Sequence, residues 1–293
     1  VSFKDSAQPV FSIMEALSYA SRFHGHLMLI KIGGSILNKE SLITSLCEDI
    51  QLLKKNGIKV VLVHGGSKAI NEYLDIHQVD SHFIDGLRVT SEKAIKVIEM
   101  VLCGHVNKLL VRKLNSIGLN AVGLCGSDDS MLKCDYYSSQ HGFVGKIKQV
   151  FPEAILNLLS FQDALHGSIP VIAPIGVDEE GNPLNINADV AASEIAHALK
   201  VNKLIYLTDQ EGVYDEQGHV YSELKEDELA LLVEKGIVKD GMLVKVKAIL
   251  AALQSDLNEI HILNGNKPHI LIEELFTLTG AGTLCKKKEE SVL

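Results

Sequence analysis

Nowhere in its 293 residues does the chain hold an apolar run approaching the ~20 residues that a membrane-spanning helix needs. The stretch from Gln8 to Phe23 is interrupted by Glu15 and Arg22 and has no small-residue cleavage pattern. The expectation is therefore a globular, cytoplasmic protein that does not use a membrane. Positive charge is also in short supply. Lys and Arg number 28 against 37 Asp and Glu, a net charge of −9, which disfavours nucleic acid and anionic surfaces because these recruit clustered cations. The run Lys286, Lys287, Lys288 is followed at once by Glu289 and Glu290 and reads as a solvated tail. Five cysteines, Cys47, Cys103, Cys125, Cys134 and Cys285, are odd in number, widely spaced and form no C-x-x-C. Reduced thiols fit that pattern better than a disulfide framework or a zinc site.

Several common site motifs are missing too. Without G-x-x-x-x-G-K-[ST] or a post-strand G-x-G-x-x-G, a Walker phosphate loop and a Rossmann dinucleotide site are unsupported. Without G-x-S-x-G or H-E-x-x-H, so are the hydrolase elbow and the zincin site. No internal repeat or low-complexity linker appears, which favours two lobes in close contact, dividing near Val201, over independent domains.

What is present is an alternation of strands and helices. His26–Ile32 is an apolar strand ending in Lys31 and Gly33-Gly34; Leu42, Ile43, Leu46, Ile50 and Leu53 mark a helix that stops at Asn56-Gly57. Ile58–Val63 is a second strand, ending in His64-Gly65-Gly66, and a helix over Ser67–Ile76 follows. Strands apolar on both faces call for a mainly parallel sheet covered by helices, an α/β fold. Ser81–Val89 reads as a hairpin turning at Asp85-Gly86. A long helix, capped by Thr90 or Ser91, should run to Gly118. Ala121–Leu124 is then a strand, Gly126–His141 an irregular flap, Ile169–Ile175 a strand, Ala188–Leu199 a helix and Lys203–Leu207 a strand. A second hairpin over Val213–Tyr221, helices over Asp227–Lys235 and Val244–Leu257, and a last strand Glu259–Leu263 complete the pattern.

Two glycine pairs therefore stand at the carboxyl ends of neighbouring parallel strands, where open α/β sheets bind ligands and backbone N–H groups can approach an anion. Tight turns are the alternative for each pair taken alone. His64 beside the second pair is the one histidine of interest, with a core or turn role as its competing reading. Lys31 on an apolar strand is costly unless it meets an anion or opens on a cleft, and a snorkelling surface lysine is the alternative. Arg88 could clamp a carboxylate, or be a surface arginine. Asn185, Asn187 and Asp189 share one face if that segment is extended, though helix capping explains one of them. Lys245 falls at the start of the helix expected from Val244, an end that disfavours cations unless a polyphosphate is bound.

These pieces, Lys31-Ile32-Gly33-Gly34, His64-Gly65-Gly66, Asn185 to Asp189, Thr208-Asp209 and Gly241-Met242 with Lys245, resemble the ordered motifs of the amino acid kinase family over about Phe11–Leu284. Gly86-Leu87-Arg88-Val89-Thr90 narrows the resemblance to the branch acting on N-acetyl-L-glutamate. The resemblance implies a three-layer αβα sandwich with two lobes: residues 26–201 binding the acylamino acid and carrying oligomerisation, and residues 202–293 binding ATP with Mg2+ held mainly by its phosphates. It implies transfer of the γ-phosphoryl group to the side-chain carboxylate in arginine biosynthesis. Lys31, Asp189 and Lys245 would be catalytic, with Asp189 orienting the lysines. Gly65, Gly66, Arg88, Asn185 and Asn187 would bind the substrate, and Lys31, Gly33, Gly34, Thr208, Asp209 and Lys245 the nucleotide, with Gly33, Gly34 and Gly66 donating N–H groups to phosphate.

Residues 1–25, with Val10, Ile13, Met14, Leu17, Ala20 and Phe23 at near-helical spacing, resemble the extra helix of arginine-inhibited hexameric members, a helix packed on its own domain being the alternative. His269–Gly282 resembles their arginine signature, so Tyr19, His269, Glu274, Gly280 and Gly282 are candidate arginine contacts in a homo-oligomer, a dimer or a trimer of dimers. Two residues depart from the family pattern: Ser67 stands where a third glycine is usual, and Asp129 where a glycine is usual. The competing readings are another carboxylate kinase of the family and a catalytically silent arginine-sensing homologue.

Overall fold

A computed structural model describes residues 22–160, 167–255, 257–277 and 280–288. Tyr19 and nearly all of the N-terminal helix expected before Gly25 lie outside these residues. The first strand, β1 (Leu27–Ile32), occupies the middle of the main sheet, as a strand apolar on both faces must. Helix α1 (Glu40–Lys55) stops at Asn56 and at Gly57, which takes φ +76°. Strand β2 (Lys59–His64) and helix α2 (Ser67–Ile76) complete the expected alternation. The hairpin is short: β3 (Phe83–Ile84) and β4 (Leu87–Arg88) pair antiparallel across Asp85 and Gly86, whose φ values are 49° and 78°.

The single helix expected up to Gly118 is interrupted. Ser91 caps α3 (Glu92–Glu99) by accepting from Ala94 N–H at 3.2 Å, but Met100–Val106 is a π-helical segment before α4 (Asn107–Ser116). Apolar spacing does not reveal it, because Val101, Leu102, Val106, Leu110 and Leu114 stay buried through the widened turns. After β5 (Ala121–Cys125), the supposed flap from Gly126 to His141 carries a strand, β6 (Leu132–Tyr136), antiparallel to β7 (Gly145–Val150). Buried Leu132 and Cys134 alternate there with more exposed Lys133 and Asp135, a two-residue period easily lost among polar neighbours. Asp129 sits at φ 54°, the conformation that glycine adopts most easily.

The remaining elements are α5 (Glu153–Leu159), β8 (Ile169–Ala173), β9 (Ile175–Val177), β10 (Pro183–Asn185), α6 (Ala188–Leu199), β11 (Lys203–Thr208), β12 (Glu223–Lys225), α7 (Glu226–Glu234), α8 (Asp240–Gln254), β13 (Glu259–Asn264), α9 (Ile270–Phe276) and β14 (Gly282–Lys286). Four expectations change. The strand Ile169–Ile175 ends at Ala173, and past Pro174 β9 joins a different sheet. The second hairpin reduces to one bridge, Tyr214 to Val220. Helix α8 begins at Asp240, which puts Lys245 in its second turn and outside the reach of the end dipole. Strand β13 is not the last, since β14 pairs antiparallel with it.

The main sheet runs β12-β14-β13-β11-β1-β2-β8-β5, parallel except at β13–β14; a smaller sheet runs β10-β9-β6-β7. Alternation along β1 and β11 sends Met28, Ile30, Ile32, Ile205 and Leu207 to one apolar layer and Leu29, Leu204 and Tyr206 to the other. Helices α1 to α4 and α9 cover the first layer, and α5 to α8 with the small sheet cover the second. This is the αβα sandwich expected. Because β11 pairs with β1 on one side and β13 on the other, the sheet and both apolar layers run unbroken past Val201.

Candidate active site

Lys31 is the fifth residue of β1, and alternation turns it to the face shared with Leu29 and Tyr206. Its Nζ lies 2.7 Å from Asp189 Oδ1, in the first turn of α6. Lys245 Nζ, from α8, reaches the same oxygen at 2.8 Å. The snorkelling alternative for Lys31 fails, since the residue is only 8% exposed. Burial by itself would raise the Asp189 pKa, but the Lys31 and Lys245 ammoniums outweigh it and hold the carboxyl far below its ordinary range. Burial pushes Lys245 down to about 8; Asp189 opposes that shift and Lys31 adds to it. Two ammoniums on one carboxylate leave a surplus positive charge, which suits a polyphosphate.

Sequence reasoning missed Tyr206. Its hydroxyl donates to the Asp189 carbonyl at 3.0 Å and lies 2.6 Å from Ser193 Oγ, while Lys245 Nζ sits 4.9 Å from its ring centroid. Tyr206 thus supports both members of the Asp189–Lys245 pair from below. Its place directly opposite Lys31 in the β1–β11 register was the signal, readable only once the strands were paired.

The two glycine turns abut. A Cβ built on Gly34 would lie 3.4 Å from Ser67 N, at the start of α2. Gly33 N–H donates to Leu207 O at 2.9 Å and Gly65 N–H to Ile32 O at 2.9 Å, so both continue the strand ladders. Gly33 is therefore corrected as a phosphate donor in this conformation. The N–H groups of Gly34 and Gly66 meet no acceptor among the described residues. Lys31, Gly33, Gly34, Thr208, Asp209 and Lys245 all line one cavity of about 750 Å³, together with Asp189, Gly241 and Met242. All six residues expected to bind nucleotide are thereby brought together. Of its carboxylates, Asp189 is engaged by both lysines and Asp209 Oδ1 accepts from Thr208 Oγ1 at 3.2 Å. Among the described residues there is no cluster of three or more His, Cys, Asp or Glu side chains suited to a metal.

Gly65, Gly66, Arg88, Asn185 and Asn187 line a neighbouring cavity of about 130 Å³ that shares Ser67 with the first. Arg88 is buried, and its guanidinium donates to Ser81 Oγ at 2.6 Å and Asn71 Oδ1 at 2.7 Å, over the Phe83 ring. These partners are neutral, and no carboxylate pairs with Arg88 among the described residues; burial lowers its pKa. A buried guanidinium with only neutral partners could pair with an anionic ligand. Asn185 donates to Thr90 Oγ1 at 3.2 Å. Asn187 caps α6, its Oδ1 accepting from the N–H groups of Asp189 and Val190, so the three polar residues do not form one extended face. The cap explanation holds for Asn187, and Asp189 follows it in the first turn of α6.

The arginine candidates meet different partners. His269 Nδ1 lies 2.7 Å from Asp49 Oδ1, whereas Glu274 Oε1 lies 2.6 Å from His261 Nδ1 and Oε2 accepts from Ala281 N–H at 2.6 Å. Gly280 takes φ +63° beside Glu274, and Gly282 opens β14.

The model of the amino acid kinase family matches residues 26–264. The acetylglutamate kinase of Campylobacter curvus is 42% identical over 284 residues, covering 97% of this chain and 99% of the relative. That of Clostridioides difficile is 43% identical, covering 95% and 97%. Among solved structures, N-acetylglutamate synthase from Neisseria gonorrhoeae, complexed with coenzyme A and N-acetyl-glutamate, superposes with a TM-score of 0.84 at 25% identity over 99% of this chain; the chain spans 65% of the length of that longer protein. With the lysine–aspartate–lysine cluster, the paired glycine turns and these matches in agreement, the chain belongs to the amino acid kinase family.

Proposed function

We propose that this kinase transfers the γ-phosphoryl group of ATP to the side-chain carboxylate of N-acetyl-L-glutamate. The observation that carries the reading is Asp189 Oδ1 held between the Lys31 and Lys245 ammoniums, where the larger cavity adjoins the small one containing Arg88. A carboxylate is already ionised at neutral pH, so the nucleophile needs no general base. The obstacle is two anions meeting in line, and positioning with charge neutralisation overcomes it. Lys31 faces the reacting group from the substrate side and Lys245 from the nucleotide side, with Gly34 and Gly66 N–H groups as further donors. Arg88, Asn185 and Asn187 hold the acylamino acid. Magnesium travels with the nucleotide and offsets charge on its phosphates.

The division of labour assigns residues 26–201 to the acylamino acid and residues 202–293 to ATP. In its favour, the small cavity is lined only by residues between Gly65 and Ala188. No helix among the described residues is long and apolar enough to cross a membrane, and we place the enzyme in the cytoplasm. Feedback inhibition by arginine in a hexamer rests on the resemblance of residues 1–25 and 269–282 to that branch of the family. An assay unchanged by millimolar arginine, with a dimer by light scattering, removes it.

The decisive experiment measures ADP release with N-acetyl-L-glutamate, glutamate, aspartate, carbamate and a nucleoside monophosphate, trapping acyl phosphate with hydroxylamine. Preference for N-acetyl-L-glutamate and a trapped hydroxamate are expected. Preference for another acceptor reassigns the substrate, and no turnover with any favours a silent homologue.

A further inference from the structure

His64 ends β2 immediately before the Gly65-Gly66 turn and is completely buried. Its Nδ1 lies 3.0 Å from the carbonyl oxygen of Gly65, and its Nε2 lies 3.2 Å from Asn107 Nδ2. The same amide nitrogen reaches Val171 O at 2.8 Å and Leu124 O at 3.3 Å, while Lys108 Nζ donates to Asn107 Oδ1 at 3.1 Å. Those oxygen partners fix the Asn107 amide with its NH2 toward His64. An NH2 group only donates, so a proton on Nε2 would meet no acceptor there; Nε2 is bare and shares the second amide hydrogen with Leu124 O. Nδ1 then carries the proton and donates to Gly65 O. Burial pushes the His64 pKa down to about 4, which keeps the ring neutral at neutral pH.

The consequence follows from peptide geometry. Gly65 C=O and Gly66 N–H belong to one planar trans unit and point in opposite directions. Gly65 is also anchored by its own N–H on Ile32 O. Gly66 itself is pressed against the π-helical segment, since an added Cβ would stand 2.7 Å from Leu102 Cδ2. A glycine pair this free in torsion space would otherwise flip its shared peptide at little cost.

We propose that His64 is a positioning residue: its Nδ1–H holds the Gly65 carbonyl and thereby aims Gly66 N–H into the cavity that contains Arg88, with Asn107 setting the tautomer. The inference deepens the acetylglutamate kinase reading and rests on it for its kinetic arm only. Asn places an amide N–H where the imidazole has Nδ1–H, whereas Gln places one nearer Nε2 and Leu offers none.

Steady-state kinetics on His64→Asn, His64→Gln and His64→Leu, each with its Tm, therefore form the first arm. His64→Asn should keep kcat/KM for N-acetyl-L-glutamate within about threefold, while His64→Gln and His64→Leu lose about tenfold or more with KM for ATP unchanged, on the scale of a misdirected oxyanion donor. Equal losses in all three variants, or a folded His64→Leu with wild-type kcat/KM, overturn the proposal. Should His64→Leu not fold, His64→Gln carries the same comparison. The second arm needs no activity: 15N NMR of histidine-labelled wild-type protein should show His64 protonated at Nδ1 and bare at Nε2. An Nε2-protonated ring overturns the proposal even in an active enzyme, and wild-type protein inactive on N-acetyl-L-glutamate overturns the substrate reading while the spectrum still decides the placement.

Discussion

Asp189 offsets part of the charge that Lys31 and Lys245 bring into a buried position, and one positive charge is left over. Replacing Asp189 with Asn removes the one group that both lysines share while keeping its shape. We expect kcat to fall by about 100-fold or more, the order seen when a single well-placed charge-stabilising group is lost, with circular dichroism unchanged. Lys31→Ala should behave alike; near-normal turnover of the purified variant removes its assigned role. The Lys245 pKa near 8 gives a signed pH dependence. The ammonium is the acid form, so kcat/KM for ATP should decline as pH rises through about 8. Bound polyphosphate favours the ammonium, so the matching decline in kcat should sit at higher pH. Coincident profiles would show that Lys245 does not face the phosphates.

At the scale of elements, the site is made by strand ends and helix starts brought to one edge. Gly33 lies where a Cβ would stand 2.8 Å from the backbone carbonyl of Leu207, which belongs to a paired strand and cannot turn aside. Gly33→Ala should therefore destabilise the protein by about 1–3 kcal/mol in urea titrations, the range for overpacking against fixed neighbours, and reduce turnover as β1 and β11 shift. Ser91→Ala offers the contrast. It removes only the α3 cap, so about 1 kcal/mol of stability should go with kcat nearly unchanged. A Gly33→Ala protein of wild-type stability would mean that β1 and β11 part more readily than their continuous pairing suggests.

Taken as a whole, the molecule is one αβα sandwich built on a continuous sheet, and the larger cavity draws residues from both sides of Val201, from Lys31 to Lys245. A ligand bridging them should stabilise the entire fold. A non-hydrolysable ATP analogue at 100 times its Kd is expected to add about 2.7 kcal/mol to unfolding, read as a raised Tm. Lys245→Met should lose most of that increment. An analogue that raises the Tm of both proteins equally would place the polyphosphate elsewhere.

The order of strands and helices, the helix limits at Ser67–Ile76 and Ala188–Leu199, and the Asp85-Gly86 hairpin were legible in the sequence, because apolar period and turn chemistry are local properties of the chain. Short motifs also marked part of each cavity lining: Lys31, Gly33, Gly34, Thr208, Asp209 and Lys245 in the larger one, and Gly65, Gly66, Arg88, Asn185 and Asn187 in the smaller. Other features depended on partners distant in sequence. Strand β6 owes its existence to β7 and β9, and β14 to β13. The same holds for single residues. Nothing local to Tyr206 or Asn107 distinguishes it from a core tyrosine or a helix-face amide; each acquires its role when the fold sets it against Asp189 or His64. The sequence by itself thus determined which groups are cationic, flexible or apolar, and tertiary structure decided which of them meet, since contact between residues far apart in the chain is a property of pairing and packing.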